Sequence, residues 1–307
     1  MLVFREIKPN LIPASCLAQG VFDGVHLGHQ KVIIDAIEKS RTTDALATVV
    51  TFANHPQYIT SKNSLKLITN LEDRLELFEA LGVQVVLLLD FTEELSKISA
   101  VEYIKSVLVE GLNVRHISIG YNHRFGSQKK GDHKLLEKYG EQYGYKVTVI
   151  PPVAIEGQVA SSSDIRNLIS SGDVDSASKL LGRPFSIKGA VIQGKRRGTQ
   201  LGFPTANMEL PENMISPAAG VYSGLAYIGN ENYFAVINVG KRPTFGDLTV
   251  NLVEAHVLNY SGNLYHKNIE VAFLKKLRDE KRFASEAELV EQIKLDCQAV
   301  TVLAPNL

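Results

Sequence analysis

Residues 20–30, GVFDGVHLGHQ, bring Asp23, Gly24, His26, Gly28 and His29 into one short stretch. The apolar run CLAQGVF leads into it and the helical pattern HQKVIIDAIEKS follows. A turn between a strand's carboxyl end and a helix's amino end offers free backbone N–H groups and the positive end of the helix dipole, a setting that favours an anion. Gly24 and Gly28 lack the Cβ that would keep phosphate oxygens from the backbone. His26 and His29, three apart, share one side of a helical turn. Imidazoles there can donate hydrogen bonds to a phosphate or carry charge where negative charge develops. A plainer interpretation makes this a strand-to-helix turn with a capping Asp and two surface histidines. Two histidines without a nearby third ligand make a poor metal site. The HxGH pairing directly after a strand favours phosphate binding.

The elements that must position these residues alternate in the first half. Apolar runs at 46–52, 83–90, 115–120 and 145–152 are expected to be buried strands, with CLAQGVF as the first strand of the set. Helical patterns lie between them, so a parallel sheet with right-handed crossovers is expected, and ligands then bind outside the strands' carboxyl ends. SSSDIRNLISSGDVDSASKLLGRPF (161–185) predicts one or two short helices. Beyond it come short strand-like runs punctuated by Gly, Asn and Pro, a turn at YIGNENY, and one helical tail, EAELVEQIKLDCQAV. Several short strands and one helix predict a small β-barrel. The change of character divides the chain into residues 1–182 and 183–307.

Composition narrows the function classes. Lys plus Arg and Asp plus Glu both number 33 among 307 residues, so the net charge is zero. Nucleic acid, which calls for a basic surplus, is not an expected partner. No apolar run reaches a membrane span, and the N-terminus does not read as a secretion signal. Two distant cysteines make no disulfide or zinc framework, which favours a reducing, cytoplasmic setting.

HLGH at 26–29 resembles the HxGH signature of the nucleotidyltransferase superfamily, whose members bind ATP or CTP and release pyrophosphate. The longer GVFDGVHLGHQ resembles the prokaryotic bifunctional riboflavin kinase and FMN adenylyltransferase (FAD synthetase) family. SSSDIR (161–166) is similar to that family's SSTxIR, TFANHP (51–56) to its TFxPHP, and IGYNHRFG (119–126) to its VGxDFRFG. In the second half, GKRRGTQLGFPTAN (194–207) resembles GxxxGRxLGFPTAN, and GVYSG, NVGKRPTFG and VEAHVLNYSGNLY follow in the family's order. The resemblance covers nearly the whole chain. It implies a Rossmann-like nucleotidyltransferase domain followed by a riboflavin kinase barrel with a terminal helix.

The resemblance also implies roles. In the first domain, Gly24, His26, Gly28 and His29 meet ATP phosphates, with Ser162, Ser163 and Arg166 approaching the β- and γ-phosphates from the other side. Asn122 holds flavin and nucleotide, and His55 lines the same cleft. Adenylyl transfer from ATP to FMN then needs positioning and charge neutralisation, with no covalent enzyme intermediate. In the second domain, Glu254 takes the proton of the riboflavin 5′-hydroxyl; by itself it would read as a strand residue facing solvent. Thr205 and Asn207 supply oxygen ligands for Mg²⁺ and the phosphates, and Gly194 and Gly198 mark a loop that could fold over ATP, carrying Lys195, Arg196 and Arg197. Substrates and products are riboflavin, FMN, FAD, ATP, ADP and pyrophosphate, with no tightly held organic cofactor and no membrane partner; a transient homo-oligomer is compatible with this picture.

The chain departs from the family pattern at Ala53-Asn54, where a Pro is usual and a less rigid loop is expected, and at Asn122-His123, where Asp-Phe is usual. Asn259 and Asn263 stand where Asp is common, with weaker sugar or metal contacts the expected result. Class I aminoacyl-tRNA synthetases share HxGH but need a tRNA surface and a lysine-rich second motif. A cytidylyltransferase or a pantetheine-phosphate adenylyltransferase would leave PTAN unexplained. An adenylyltransferase whose barrel has become a flavin-binding or regulatory module stays open, as does a non-catalytic flavin-binding protein.

Overall fold

The computed structural model describes residues 1–61, 65–194, 197–243 and 249–303. The chain divides into two compact units, Met1–Ser162 and Ser163–Leu307.

The first unit is built on six parallel strands: β1 (Leu2–Phe4), β2 (Ser15–Gln19), β3 (Leu46–Phe52), β4 (Val85–Leu89), β5 (Val114–Gly120) and β6 (Lys146–Ile150), in the order β1-β4-β3-β2-β5-β6. Every residue of β2 and β4 is buried, as expected of strands covered on both faces. Alternate residues feed two cores. Leu17, Val50, Val85 and Leu87 pack with Tyr103, Ile104, Val107 and Leu108. Ala18, Val49, Val86 and Leu88 pack with Val32, Ile33, Ala36 and Ile37 of the helix α1 (Leu27–Thr43). The chain runs from β2 to β3 on one side and reaches β5 on the other, so the strand order reverses at β2. The ends of β2 and β5 therefore flank the crevice where open α/β sheets bind ligands.

Two sequence expectations need correction here. CLAQGVF is the second strand, not the first, because Leu2–Phe4 pairs in parallel with Val85–Leu87 at the sheet edge; three residues are too few to show a period. The strand also stops at Gln19, and residues 20–26 leave the sheet as a loop.

In the second unit, helices α5 (Ser162–Ser171) and α6 (Val174–Leu181) precede the sheet, and α6 packs on the strands 185–190 and 268–278. Asp173 caps α6, accepting from Ser176 N at 3.1 Å. Six antiparallel strands follow: β7 (Phe185–Ala190), β8 (Ala206–Glu209), β9 (Gly220–Ile228), β10 (Glu231–Pro243), β11 (Thr249–Val257) and β12 (Asn268–Arg278), ordered β8-β11-β10-β9-β12-β7. A bridge between Ile192 and Asn207 links the two ends into a nearly closed barrel. The expected turn lies between paired Ile228 and Glu231, with Gly229 at φ 62°. The helix Glu286–Leu303 ends the described chain.

Candidate functional sites

The loop between β2 and α1 is held in an unusual conformation. Phe22 (φ 56°), Gly24 (φ 86°) and Val25 (φ 40°) all lie in the left-handed region, a cost that persists only where surroundings enforce it. The enforcement is visible. Asp23 is 2% exposed, and its carboxylate accepts from Ile68 N at 3.0 Å and Thr69 N at 3.2 Å. Thr69 Oγ1 accepts from Gly24 N at 3.0 Å. Ser162 Oγ donates to Asp23 O at 2.8 Å. Asp23 thus anchors the loop to residues 68–69 and does not cap α1.

His26 is the cap. Its Nδ1 accepts from His29 N at 3.3 Å, so the ring proton sits on Nε2. The two imidazoles stack, centroids 3.5 Å apart and planes 22° from parallel, with Phe22 edge-on to His29 at 5.3 Å. A Cβ at position 28 would lie 3.0 Å from His26 Cε1 and 3.1 Å from Nδ1. Glycine there lets the His26 ring fold over the first helical turn. The result is a helix amino end with two stacked rings beside it, a cradle suited to phosphate oxygens.

Arg74 supports this cradle and was not singled out in the sequence. It is 5% exposed; Nη1 donates to Val21 O at 2.9 Å and Nη2 to Phe52 O at 2.6 Å. It clamps the chain leaving β2 to the end of β3. Burial lowers its pKa, and the Asp23 carboxylate opposes that shift. Asn54 joins the next two loops: Nδ2 donates to Phe91 O at 2.9 Å and Oδ1 accepts from Phe91 N at 2.8 Å. The expected loss of rigidity at Ala53-Asn54 is therefore corrected, since a side-chain bridge replaces the missing Pro.

His55 follows β3, its Nδ1 accepting from Gln57 N at 3.2 Å. Asn122 is exposed in the loop after β5. Its neighbour His123 stacks on Phe125 at 5.9 Å, and burial first, then Arg124, drops its pKa to about 4. Ser163 and Arg166 lie on α5, within the second unit.

The barrel carries a cavity of about 1060 Å³. Glu254 of β11 stands in register with Asn207 on one neighbouring strand and Asn238 on the other, and all three line the cavity. Directly opposed residues share a sheet face; it is the face away from the fully buried Val253 and Ala255. Thr205, Gly194 and Gly198 line the same space. Asn207 is 5% exposed, its Nδ2 donating to Thr205 O at 3.2 Å. A Cβ on Gly194 would lie 2.6 Å from Asn207 Nδ2, so glycine is required at that approach. His256, two residues beyond Glu254, reaches Pro204 O through Nδ1 at 2.8 Å, which pins PTAN against β11. Gly194, Gly198, Thr205, Asn207 and Glu254 thus line one cavity, whereas Asn259 and Asn263 are not part of its lining. Lys195 and Arg196, like residues 244–246, lie outside the described residues.

The hydroxyl, amide and carboxylate oxygens of Thr205, Asn207 and Glu254 form a donor set suited to a hard divalent cation. Among the described residues no group of three or more His, Cys, Asp or Glu could hold a metal, so any cation here would rely on neutral oxygens and on substrate phosphates. Asn259 takes a left-handed φ of 58°, and Asn263 Oδ1 accepts from Tyr265 N at 2.9 Å. Both asparagines serve turns.

Comparison with known proteins places both parts of the chain in known families. A family model described as FAD synthetase matches residues 9–164, and one described as riboflavin kinase matches residues 181–303. A bifunctional riboflavin kinase/FMN adenylyltransferase of Buchnera aphidicola is 36% identical over 96% of this chain and 95% of its own length. The protein of that name in Bacillus subtilis is 36% identical over 95% of this chain and 93% of its own. A crystal structure named as a macrolide-efflux protein from Streptococcus pneumoniae shares the fold, with TM-score 0.89, 30% identity and coverage of 98% and 99%. Its name differs from those of the curated relatives. Among the described residues no helix is long and apolar enough to cross a membrane. With both family models matched in order and relatives aligned over nearly their whole length, the chain belongs to the bifunctional riboflavin kinase/FMN adenylyltransferase family.

Proposed function

We propose that this chain makes both flavin nucleotides. The barrel transfers the γ-phosphate of ATP to riboflavin, giving FMN and ADP. The nucleotidyltransferase part then joins FMN to the AMP moiety of a second ATP, giving FAD and releasing pyrophosphate. The observation that carries this reading is the register of Glu254 between Asn207 and Asn238 on the cavity wall. A carboxylate on a rigid strand beside hydroxyl and amide oxygens is what deprotonating an alcohol next to a bound phosphate requires. In the other step His26 and His29 steady the ATP phosphates, with the backbone N–H of Gly28 close by while that of Gly24 is held by Thr69 Oγ1, and Asn122 and His55 receive the flavin. Ser162, Ser163 and Arg166 act on the β- and γ-phosphates; a guanidinium fork suits that task.

ATP-using kinases and adenylyltransferases generally work with a divalent metal. We assign Mg²⁺ to the barrel, held by Thr205 and Asn207, where it would offset phosphate charge. The boundary between the activities falls near residue 183, and two free cysteines, Cys16 and Cys297, fit a cytoplasmic setting. Purified protein incubated with riboflavin, ATP and Mg²⁺, with products resolved by chromatography, tests the reading. FMN should appear first and FAD after it. FAD from supplied FMN with none from riboflavin would reduce the barrel to a binding module.

A further inference from the structure

The helix Glu286–Leu303 is held in two unlike ways along its length. Toward its C-terminal end, Val300 is fully buried with Val221 and Val236, and Cys297 packs against them. Toward its N-terminal end, Glu286, Leu289, Ile293 and Asp296 line the cavity. Spacings of three, four and three put these on one helical face. That helix is core at one end and cavity wall at the other.

Asp296 sits at the changeover and is 5% exposed. Its carboxylate accepts from Arg278 Nε at 3.0 Å and from Arg278 Nη2 at 2.7 Å, and from Gln292 Nε2 at 2.9 Å. Arg278 ends β12 and is paired with Val221 in the sheet. Lys281 Nζ also meets Gln292 Oε1. The cavity-lining half of the helix is therefore tied to the barrel through one two-pronged ion pair and its neighbours. Such a pair is strongly directional, because the planar fork accepts few orientations of the carboxylate.

We infer that Arg278 and Asp296 form a latch that sets the position of the cavity-lining half of this helix, and so tunes riboflavin affinity rather than the chemical step. The inference rests on the kinase reading above. Leu289, Ile293 and Phe283 give the cavity an apolar patch between the charged Glu286 and Asp296, whereas Thr205, Asn207 and Glu254 line it with polar groups from the barrel. A flat aromatic ring carrying a chain with a reactive hydroxyl matches that polarity. Glu254 takes its position from β8 and β10, so turnover should survive loss of the latch. Both side chains also line the cavity; the role inferred for them is to position the helix, whereas two independent contacts to riboflavin would make the double variant worse than either single.

The test uses the full chain. Asp296→Asn keeps the shape and removes the charge; Arg278→Gln removes the fork; the double variant completes the cycle. Riboflavin KM and kcat are read from FMN formation, riboflavin Kd from quenching of its fluorescence, and adenylylation of supplied FMN serves as reference. Each single variant should raise riboflavin KM and Kd roughly tenfold to a hundredfold, the scale of a small misplacement, with kcat and adenylylation close to wild type. The double should be no worse than the worse single, since both remove one interaction. Unchanged riboflavin affinity, or a fall in kcat at constant KM, overturns the latch. If Asp296→Asn loses both activities, Gln292→Leu, which removes the outer bonds to Asp296 and Lys281 and leaves the Arg278–Asp296 pair, decides: weaker riboflavin binding supports the latch and unchanged binding overturns it. A wild-type chain that forms no FMN would defeat the kinase reading, and the fluorescence titration would still decide the latch.

Discussion

The two candidate sites are assembled by opposite strategies. The loop at 20–29 draws its chemistry from ten consecutive residues. Its geometry comes from backbone conformation: three left-handed residues, a glycine under a folded-back ring, and a buried carboxylate holding the loop to residues 68–69. The barrel site draws residues from positions as distant as 194 and 254, and strand register aligns them. The first fails through local backbone change. The second tolerates local change but depends on side-chain chemistry at a few registered positions.

The sharpest way to break this comparison is at Glu254. Glu254→Gln keeps the register and the shape but cannot take a proton. FMN formation should fall by about 10²- to 10⁴-fold, the range for a positioned base, while FAD formation from supplied FMN is unchanged. Near-normal kinase turnover would remove Glu254 from the chemistry. His29→Ala is the counterpart in the first unit. It should slow FMN-to-FAD conversion by about 10²-fold and leave riboflavin phosphorylation intact; equal losses in both assays would contradict the assignment.

Gly28→Ala separates backbone from side chain. The new methyl would meet the His26 ring near 3 Å, displacing it with both histidines still present. About tenfold slower adenylylation is expected, less than the loss at a misplaced reacting group. Wild-type rates would mean the ring stack is incidental.

The boundary can be sharpened by comparing fragments 163–307 and 183–307. Val174, Ala177, Leu180 and Leu181 of α6 are no more than 2% exposed, and α6 packs on β7 and β12. The shorter fragment should melt at a markedly lower temperature while keeping kinase activity below that melt. Identical melting curves would assign α6 no part in the barrel's stability. The smallest effects belong to the loops. Asn54→Ala, which frees the Phe91 backbone, should cost about 1–2 kcal/mol. His123 adds a pH dependence. Between its ordinary 6.5 and the folded value of about 4, the unfolded chain takes up a proton that the folded one refuses. Stability of the first unit should therefore decline as pH falls through that window, and His123→Phe should flatten the decline in a urea titration.

Much of this was legible in the sequence, for identifiable reasons. Long buried strands and amphipathic helices carry their periods openly, and the chemistry at 20–29 is contiguous. The strand Ala206–Glu209 was hidden inside PTAN, where Pro and Asn mask a short strand. Arg74 could not be picked out, because nothing local announces that the Val21 and Phe52 carbonyls need a donor. Arg278 and Asp296 were invisible for a similar reason. Arg278 opens the run RDEKR, and its partner lies 18 residues on. Asn54 looked like a lost Pro because its two bonds go to residue 91.

The pairing of Leu2–Phe4 with Val85–Leu87 bears on solubility. Residues 85–89, VVLLL, are wholly apolar and buried, and among the described residues β1 is the one strand beyond them at that edge of the sheet. A three-residue edge strand is a poor template for another chain, whereas an uncovered run of five aliphatic residues is a good one. Trimming the first few residues would therefore turn a blunted edge into an adhesive one, and the outcome would be self-association through strand pairing, with both candidate sites still formed in each molecule.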